Sequence, residues 1–189
     1  MMTTYRAIAA LALFASFAAP ASAQQKLVAA QSEIAFTSKQ MGVPVDGRFK
    51  KFDAQVAFDP KKPDAATIAF NIDIGSAALG SAETEAELLK PDWFNTRLFP
   101  QATFRSSSVK ATGPGKFDVA GKLVIKGASR DVVVPVALAQ AGGNTTASGA
   151  FLIKRLDFKI GEGDWKDTSM VANDVQVKFK LTLTGVPAL

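Results

Sequence analysis

The sequence contains neither cysteine nor histidine among its 189 residues. The absence of cysteine excludes disulfide bonds, thiolate nucleophiles and cysteine-ligated zinc or iron–sulfur centres. The absence of histidine excludes an imidazole general base, a Ser-His-Asp triad and histidine ligation of haem. The only tyrosine is Tyr5. Catalysis would have to rely on carboxylates, lysine, serine or threonine, so the composition predicts a protein that is not an enzyme and has no cofactor or metal.

Residues 1–23 have the pattern of a secretory signal peptide. Arg6 is the only charged residue of this segment, residues 7–19 are small or apolar, and Ala21-Ser22-Ala23 has the spacing of a cleavage site. This order is typical of cleaved export signals, and the apolar run is shorter than a membrane span. We therefore expect a mature domain of residues 24–189 in the bacterial periplasm. The alternative is an uncleaved membrane anchor.

The charges are dispersed along the chain. Lysine and arginine total 22 against 17 acidic residues, a net charge of +5. The basic residues, Lys126 among them, stand singly or in pairs between acids, and no basic run is present. This pattern is typical of solvated strand faces. It predicts no nucleic-acid partner.

Apolar and polar residues alternate along most of the chain, which is typical of half-buried strands. The alternation occurs in eight segments: 34–36, 45–58, 68–74, 102–106, 117–125, 132–138, 149–153 and 175–183. Short turns rich in Gly, Pro, Asn and Asp join most of them. Eight such strands predict an all-β domain, either an up-and-down antiparallel barrel or a sandwich.

Three local features modify this pattern. The apolar parity changes around Lys50 and Lys51, which predicts a bulge or sharp bend. Pro135 predicts an edge or bulge in its strand. Residues 81–89 contain three glutamates and two leucines before Pro91, and we expect one short helix there, capped by Ser81.

Four ordered blocks resemble the YceI-like family and together cover essentially all of the mature chain. Residues 40–49 are similar to its "v-x-G-x-F" block, and residues 88–104 to its "L-x-x-x-x-W-F-D…x-P-x-A-T-F" block. Residues 121–127 resemble "G-x-L-T-I-x-G", and residues 157–161 resemble "D-F-G-I-G". Two departures from the family are Gln31-Ser32-Glu33, where many members have histidine, and Lys159 in place of glycine.

The resemblance implies an eight-stranded, lipocalin-like antiparallel β-barrel with one short helix in a long loop. It further implies a non-enzymatic periplasmic protein that binds or carries an isoprenoid, polyprenyl or quinone-like lipid inside the barrel. The runner-up is an accessory or stress protein with a filled barrel. It would act through a transient contact with a membrane or a membrane protein, such as a cytochrome b561-type protein.

Alternation alone does not decide between a filled core and a ligand cavity. Inward glycine and alanine residues between the large rings would leave room inside. The candidate ligand-binding residues share the inward parity of the strands or lie in the two long loops. They are Ile34, Phe36, Phe49, Phe70, Ile72, Trp93, Phe94, Phe104, Phe117, Phe151, Ile153, Arg155, Phe158 and Trp165. Ser38 and Gln40 are expected to add polar contacts.

Arg155 is the main polar exception, because it shares the inward parity of Phe151 and Ile153. A charge inside an apolar barrel is costly unless it is paired. One interpretation is an internal pair with Asp157, and another is a bend that returns Arg155 to solvent. The functional interpretation is an anchor for a pyrophosphate, quinone or carboxylate head group.

Trp93, Phe94 and Trp165 lie in the two long loops and are expected at one end of the barrel. They would form either a lid over its mouth or a plug that closes that end. Glu83, Glu87 and the other helix acids are expected to face outward, so no carboxylate pair for glycoside chemistry is predicted.

Overall fold

The computed structural model describes residues 25–189, so the predicted signal peptide lies outside the described residues. Eleven antiparallel strands form a single sheet. The strands are β1 (Lys26–Leu27), β2 (Glu33–Gln40), β3 (Val43–Phe49), β4 (Phe52–Ala57), β5 (Thr67–Asp73), β6 (Ala77–Ala78), β7 (Gln101–Gly113), β8 (Lys116–Ile125), β9 (Ala128–Ala141), β10 (Asn144–Lys154) and β11 (Asp174–Thr184). The predicted antiparallel all-β class is confirmed.

The sheet curls into a barrel-like shape because its far ends are joined by a very short connection. Its strand order is β4-β5-β7-β8-β9-β10-β11-β2-β3-β6, with β1 added beside β11. Although β3 and β4 lie near opposite ends of this order, only Lys50 and Lys51 connect them. Both residues donate backbone hydrogen bonds to Ser76, to its carbonyl oxygen (3.1 Å) and its Oγ (3.0 Å) respectively. Ser76 thus holds the two ends of the sheet together.

The predicted bend at Lys50 and Lys51 is confirmed, but the predicted count of eight strands is too low. All eight predicted segments contain strands, but the segment 45–58 forms two strands with different neighbours: β3 pairs with β2, and β4 pairs with β5. The other two additional strands, β1 and β6, have two residues each. A two-residue strand is too short to produce a recognisable alternation.

Pro135 lies where β9 stops pairing with β10. Along β8, pairing is continuous and includes Asp118 opposite Pro135. On the other side, β9 and β10 pair only from Asn144 and Ala141 to Ser148 and Ala137. The β9–β10 ladder is therefore interrupted at Pro135, although β10 still runs alongside, with Gly149 against the Pro135 carbonyl. The missing proline N–H breaks no bond of that ladder.

The predicted helix is present as α1 (Ala82–Leu88). Ser81 caps it by accepting a hydrogen bond from the Thr84 amide at 3.4 Å. The Glu85 carboxylate accepts two more, from the amides of Leu79 (2.8 Å) and Gly80 (3.1 Å), and these bonds lower its pKa. Across residues 25–189, no helix is both long and apolar enough to cross a bilayer.

The buried apolar side chains form three clusters. One contains Leu123 and Ile153, the second Val109, and the third Ile34 and Leu181. Members of all three line the same internal cavity. The interior of the sheet is therefore only partly filled by its own side chains.

Candidate functional site: an apolar cavity

The cavity has a volume of about 580 Å³ and is enclosed by the concave face of the sheet, by α1 and by the two long loops. This volume lies in the range of small-molecule binding sites. Nearly all of its lining is aliphatic or aromatic, because the inward positions of successive strands carry Phe, Ile, Leu and Val. The polar and charged side chains of the lining are Ser38, Gln40, Glu83, Thr84, Glu87 and Arg155.

Thirteen of the fourteen predicted site residues line this cavity. They are Ile34, Phe36, Phe49, Phe70, Ile72, Trp93, Phe94, Phe104, Phe117, Phe151, Ile153, Arg155 and Trp165. Ser38 and Gln40 line it as well, as expected. Phe158 does not. It lies in a 3₁₀ turn, Arg155–Phe158, where the strand alternation has ended, and its side chain is buried in the neighbouring core cluster.

Gly47 keeps part of the cavity open. It lies directly opposite Phe36 in the β2–β3 pair, and a Cβ at position 47 would overlap the tip of the Phe36 ring. The ring therefore lies over the glycine. It also packs against Phe49, with ring centroids 5.4 Å apart. This arrangement supports the expectation that small inward residues leave room between the rings.

Helix α1 places carboxylates at the rim of the cavity as well as in solvent, so the prediction that its acids face outward is incomplete. Glu83, Thr84 and Glu87 all line the cavity. Glu83 and Glu87 are four residues apart and so share one face of the helix. Glu83, Thr84 and Gln40 are also solvent-exposed, which places the mouth of the cavity between α1 and the tip of the β2–β3 hairpin. The spacing of four was the sequence signal for this shared face.

Arg155 is buried, with 2% of its surface exposed, and all five of its N–H groups are occupied by backbone carbonyls. Nε donates to the carbonyl of Ala172 (3.1 Å), Nη1 to Ile160 (2.9 Å) and Gly161 (3.0 Å), and Nη2 to Trp165 (2.6 Å) and Val171 (2.7 Å). Five carbonyl dipoles replace the lost hydration of the guanidinium. Desolvation by burial lowers the pKa of Arg155.

This geometry corrects all three sequence interpretations of Arg155. Asp157 is exposed and forms no ion pair with it. The chain does bend at this point, because β10 ends at Lys154, but the bend does not return Arg155 to solvent. A head-group anchor needs a free donor, and Arg155 has none. Its role is to hold the loop of residues 160–172 against the end of the barrel.

The two tryptophans meet at the same end of the barrel. The rings of Trp93 and Trp165 pack with centroids 5.3 Å apart, and both side chains line the cavity. Their loops are joined at Asp92, whose carbonyl accepts hydrogen bonds from the amides of Gly161 and Glu162, both at 2.8 Å. Among the described residues, the buried indole Nε1 of Trp93 has no hydrogen-bond partner. The two loops that carry the tryptophans are thus in direct contact beside the cavity.

An ion pair between a buried lysine and a half-exposed glutamate also holds this loop. The Lys126 Nζ donates to the Glu162 carboxylate at 2.9 Å and to the Lys159 carbonyl at 2.6 Å. Lys126 is only 8% exposed, so the prediction that it lies on a solvated face is wrong. The hydrogen bond from Lys126 lowers the pKa of Glu162.

Within residues 25–189, no cluster of three acidic side chains is placed to hold a metal ion.

The curled antiparallel sheet and its apolar cavity define a barrel-like protein with room for a hydrophobic ligand. Residues 25–183 match the family described as the YceI-like domain, and the chain belongs to that family. A UPF0312 protein of Photorhabdus laumondii is 31% identical over 82% of this chain and 84% of its own length. The protein YceI of Escherichia coli O157:H7 is 36% identical over 51% of this chain and 50% of its own. A UPF0312 protein of Azotobacter vinelandii is 35% identical over 47% of this chain and 46% of its own length, so this match also spans only about half of the relative.

Solved structures agree with this assignment. The crystal structure of BcnA from Burkholderia cenocepacia is 45% identical in sequence, has a TM-score of 0.81 and covers 83% of this chain and 99% of its own. A domain from Saccharophagus degradans, described as polyisoprenoid binding, shares the fold with a TM-score of 0.70 and 18% identity, over 87% of this chain and 99% of that domain.

Proposed function

We propose that this protein is a non-enzymatic carrier that binds an isoprenoid or similar amphipathic lipid in its apolar cavity, and that it does so in the bacterial periplasm. The observation that carries the proposal is the cavity of about 580 Å³ with an almost entirely apolar lining. Water in such a cavity would find few hydrogen-bond partners, so an apolar chain that replaces it gains the full benefit of leaving solvent. The description of the Saccharophagus degradans domain as polyisoprenoid binding supports the same ligand class.

The charges of the lining favour a lipid with an uncharged head group. Glu83 and Glu87 place two carboxylates in the wall near the mouth. Arg155 is the single cationic side chain among the described lining residues, and its donors are already bound to carbonyls. Glu87 forms an ion pair with Lys90, which does not line the cavity. An anionic head group such as a diphosphate would therefore meet the Glu83 carboxylate without a free cation in the wall to pair with. A prenol or a quinone head avoids this cost.

The competing function required a barrel filled by its own side chains, acting through a membrane-protein partner. The cavity argues against the filled barrel. The exported location rests on the pattern of residues 1–23.

Intrinsic fluorescence provides a direct test, because both tryptophans of the chain, Trp93 and Trp165, line the cavity. Titration with a C15 prenol should change the emission saturably, and the corresponding prenyl diphosphate should bind at least about tenfold more weakly. Glu83→Gln combined with Glu87→Gln should reduce the difference in affinity between the prenol and the diphosphate. Glu33→Gln, at an exposed position outside the cavity, is the matched control.

The absence of saturable binding for either compound would contradict the lipid-carrier function. Tighter binding of the diphosphate would contradict only the preference for an uncharged head group.

A further inference from the structure

An exposed apolar group of three side chains stands beside the mouth of the cavity. Met41 is 67% exposed, Val43 is 63% exposed and Met170 is 43% exposed. The Met41 amide donates to the Met170 carbonyl at 2.8 Å, which fixes the hairpin to the long loop. We call these three residues the apolar tip.

The apolar tip is continuous with the cavity wall. Gln40 and Val171 are direct neighbours of Met41 and Met170 in the chain, they pair with each other in an isolated antiparallel bridge, and both line the cavity. A molecule that contacts the tip therefore lies next to the opening.

The turn of the apolar tip carries a locally unfavourable residue. Met41 and Gly42 form the two-residue turn between β2 and β3, and both have positive φ, +47° and +81°. Such turns favour Asn-Gly, Asp-Gly or Gly-Gly, because a side chain in the left-handed region is strained. A methionine here exposes a large apolar surface at a position where an asparagine would be better for both conformation and solubility. Met41 thus has an unfavourable backbone conformation and gains no buried contacts in return, and such a residue points to a function.

We propose that the apolar tip inserts into the surface of a lipid bilayer and docks the mouth of the cavity on it, so that the ligand passes between membrane and cavity without crossing water. This inference rests on the proposed lipid-binding function. A bilayer is the source and the destination of a ligand that fits an apolar cavity. The tip itself is uncharged, so the contact depends on apolar burial rather than on attraction to anionic lipids.

The tip also has the size expected for a reversible contact. Three side chains bury little surface compared with an anchoring amphipathic helix. The backbone under them is held in place, because Arg155 binds the carbonyls of Val171 and Ala172. A fixed tip presents its side chains without an ordering cost at each encounter.

The test compares two double variants of matched chemistry. The tip variant is Met41→Gln with Val43→Thr. The wall variant is Leu152→Gln with Val133→Thr, which changes side chains of similar exposure, 63% and 59%, on the outer surface of β10 and β9. Met41→Gln keeps a side chain of similar length at the positive-φ position, so both variants should retain the thermal midpoint of the wild-type protein.

Two measurements separate docking from ligand binding. Flotation with phosphatidylcholine vesicles reports docking of the protein alone. Stopped-flow transfer of a fluorescent C15 prenol from the same vesicles reports delivery, while titration of the prenol from ethanol reports affinity. We expect the tip variant to keep the wild-type affinity but to lose vesicle binding and at least about tenfold in transfer rate. The wall variant should match the wild type in vesicle binding, transfer rate and prenol affinity.

Equal flotation and equal transfer rates for the two variants would overturn the proposal. So would a transfer rate independent of vesicle concentration, or vesicle binding abolished by raising NaCl from about 0.1 M to about 1 M, which would indicate docking through charges. If the prenol does not bind the wild-type protein at all, the proposed function fails. Flotation still tests the tip in that case.

Discussion

The ring of Phe36 lies over Gly47 on the neighbouring strand, in the space that a Cβ at Gly47 would need. The two residues are direct partners in the β2–β3 register, and both face the interior of the sheet. The glycine thus sets how far the Phe36 ring projects into the cavity. The free volume of the cavity depends on this pair.

Gly47→Ala should reduce ligand affinity without unfolding the protein. The added methyl group displaces the Phe36 ring, which is the free end of a side chain and moves towards the cavity. We expect the affinity for a C15 prenol to fall about tenfold. Phe36→Leu in the same chain should restore most of it. Gly113→Ala, where a Cβ meets only ordinary contacts, is the control, and an equal loss of affinity there would contradict the pair's role.

Arg155→Met should destabilise the protein by at least about 3 kcal/mol, because five carbonyls of the loop lose charge-assisted hydrogen bonds. Lys154→Met, which changes the exposed neighbouring residue, is the control. Urea unfolding measures the stability, and hydrogen exchange should rise in residues 160–172. Adding Asp157→Leu should rescue nothing, since Asp157 is not paired with Arg155. A rescue would show that the two residues interact after all.

The Lys126–Glu162 pair should make folding stability depend on acidity. The pKa of Glu162 is lowered in the folded protein, whereas a glutamate in the unfolded chain has a pKa of about 4.3. The stabilisation is therefore fully present above about pH 4.3 and is lost as the pH falls through the folded pKa. Urea midpoints of the wild type should drop more steeply on acidification than those of Glu162→Gln. Asp131→Asn, in the exposed pair with Lys122, should behave like the wild type, and identical slopes for all three would refute the assignment.

Export should remove residues 1–23. Intact mass of the protein released from a bacterial host by osmotic shock is expected to correspond to a chain that begins at Gln24. Full-length protein in the membrane fraction would support the uncleaved anchor instead.

The strand pattern of this protein was readable because one face of each long strand is buried, which forces period-two alternation. The alternation does not predict strand pairing where the chain changes direction. Residues 45–58 were predicted as one bent segment, yet the bend at Lys50 and Lys51 sends β3 and β4 to different neighbours. A change in the apolar alternation shows that the chain bends. It does not show which strands pair with the segments before and after the bend.

The cavity lining was predicted for the same reason, and so were Ser38 and Gln40, whereas the hydrogen bonds of Arg155 and the carboxylates of α1 at the rim were not. The alternation of inward residues in the sequence continues from Ile153 to Arg155, but β10 ends at Lys154, so alternation no longer predicts the direction of the Arg155 side chain. The partners of Arg155 are backbone carbonyls 5 to 17 residues away, and a backbone carbonyl has no signature in a sequence. The charge of Glu83 and Glu87 predicts a position in solvent, and Glu83 is exposed. Their helical spacing also places both on one face, which lies at the rim of the cavity.

The central claim is that the apolar cavity holds a lipid, and native mass spectrometry of protein purified from a bacterial periplasm tests it most directly. We expect a protein ion with an added mass that disappears on solvent extraction, and an extract that contains an uncharged isoprenoid lipid. The added mass should be reduced in Gly47→Ala and retained in Gly113→Ala. Protein that carries no added mass from the periplasm, and takes up none when mixed with prenol, would contradict the account.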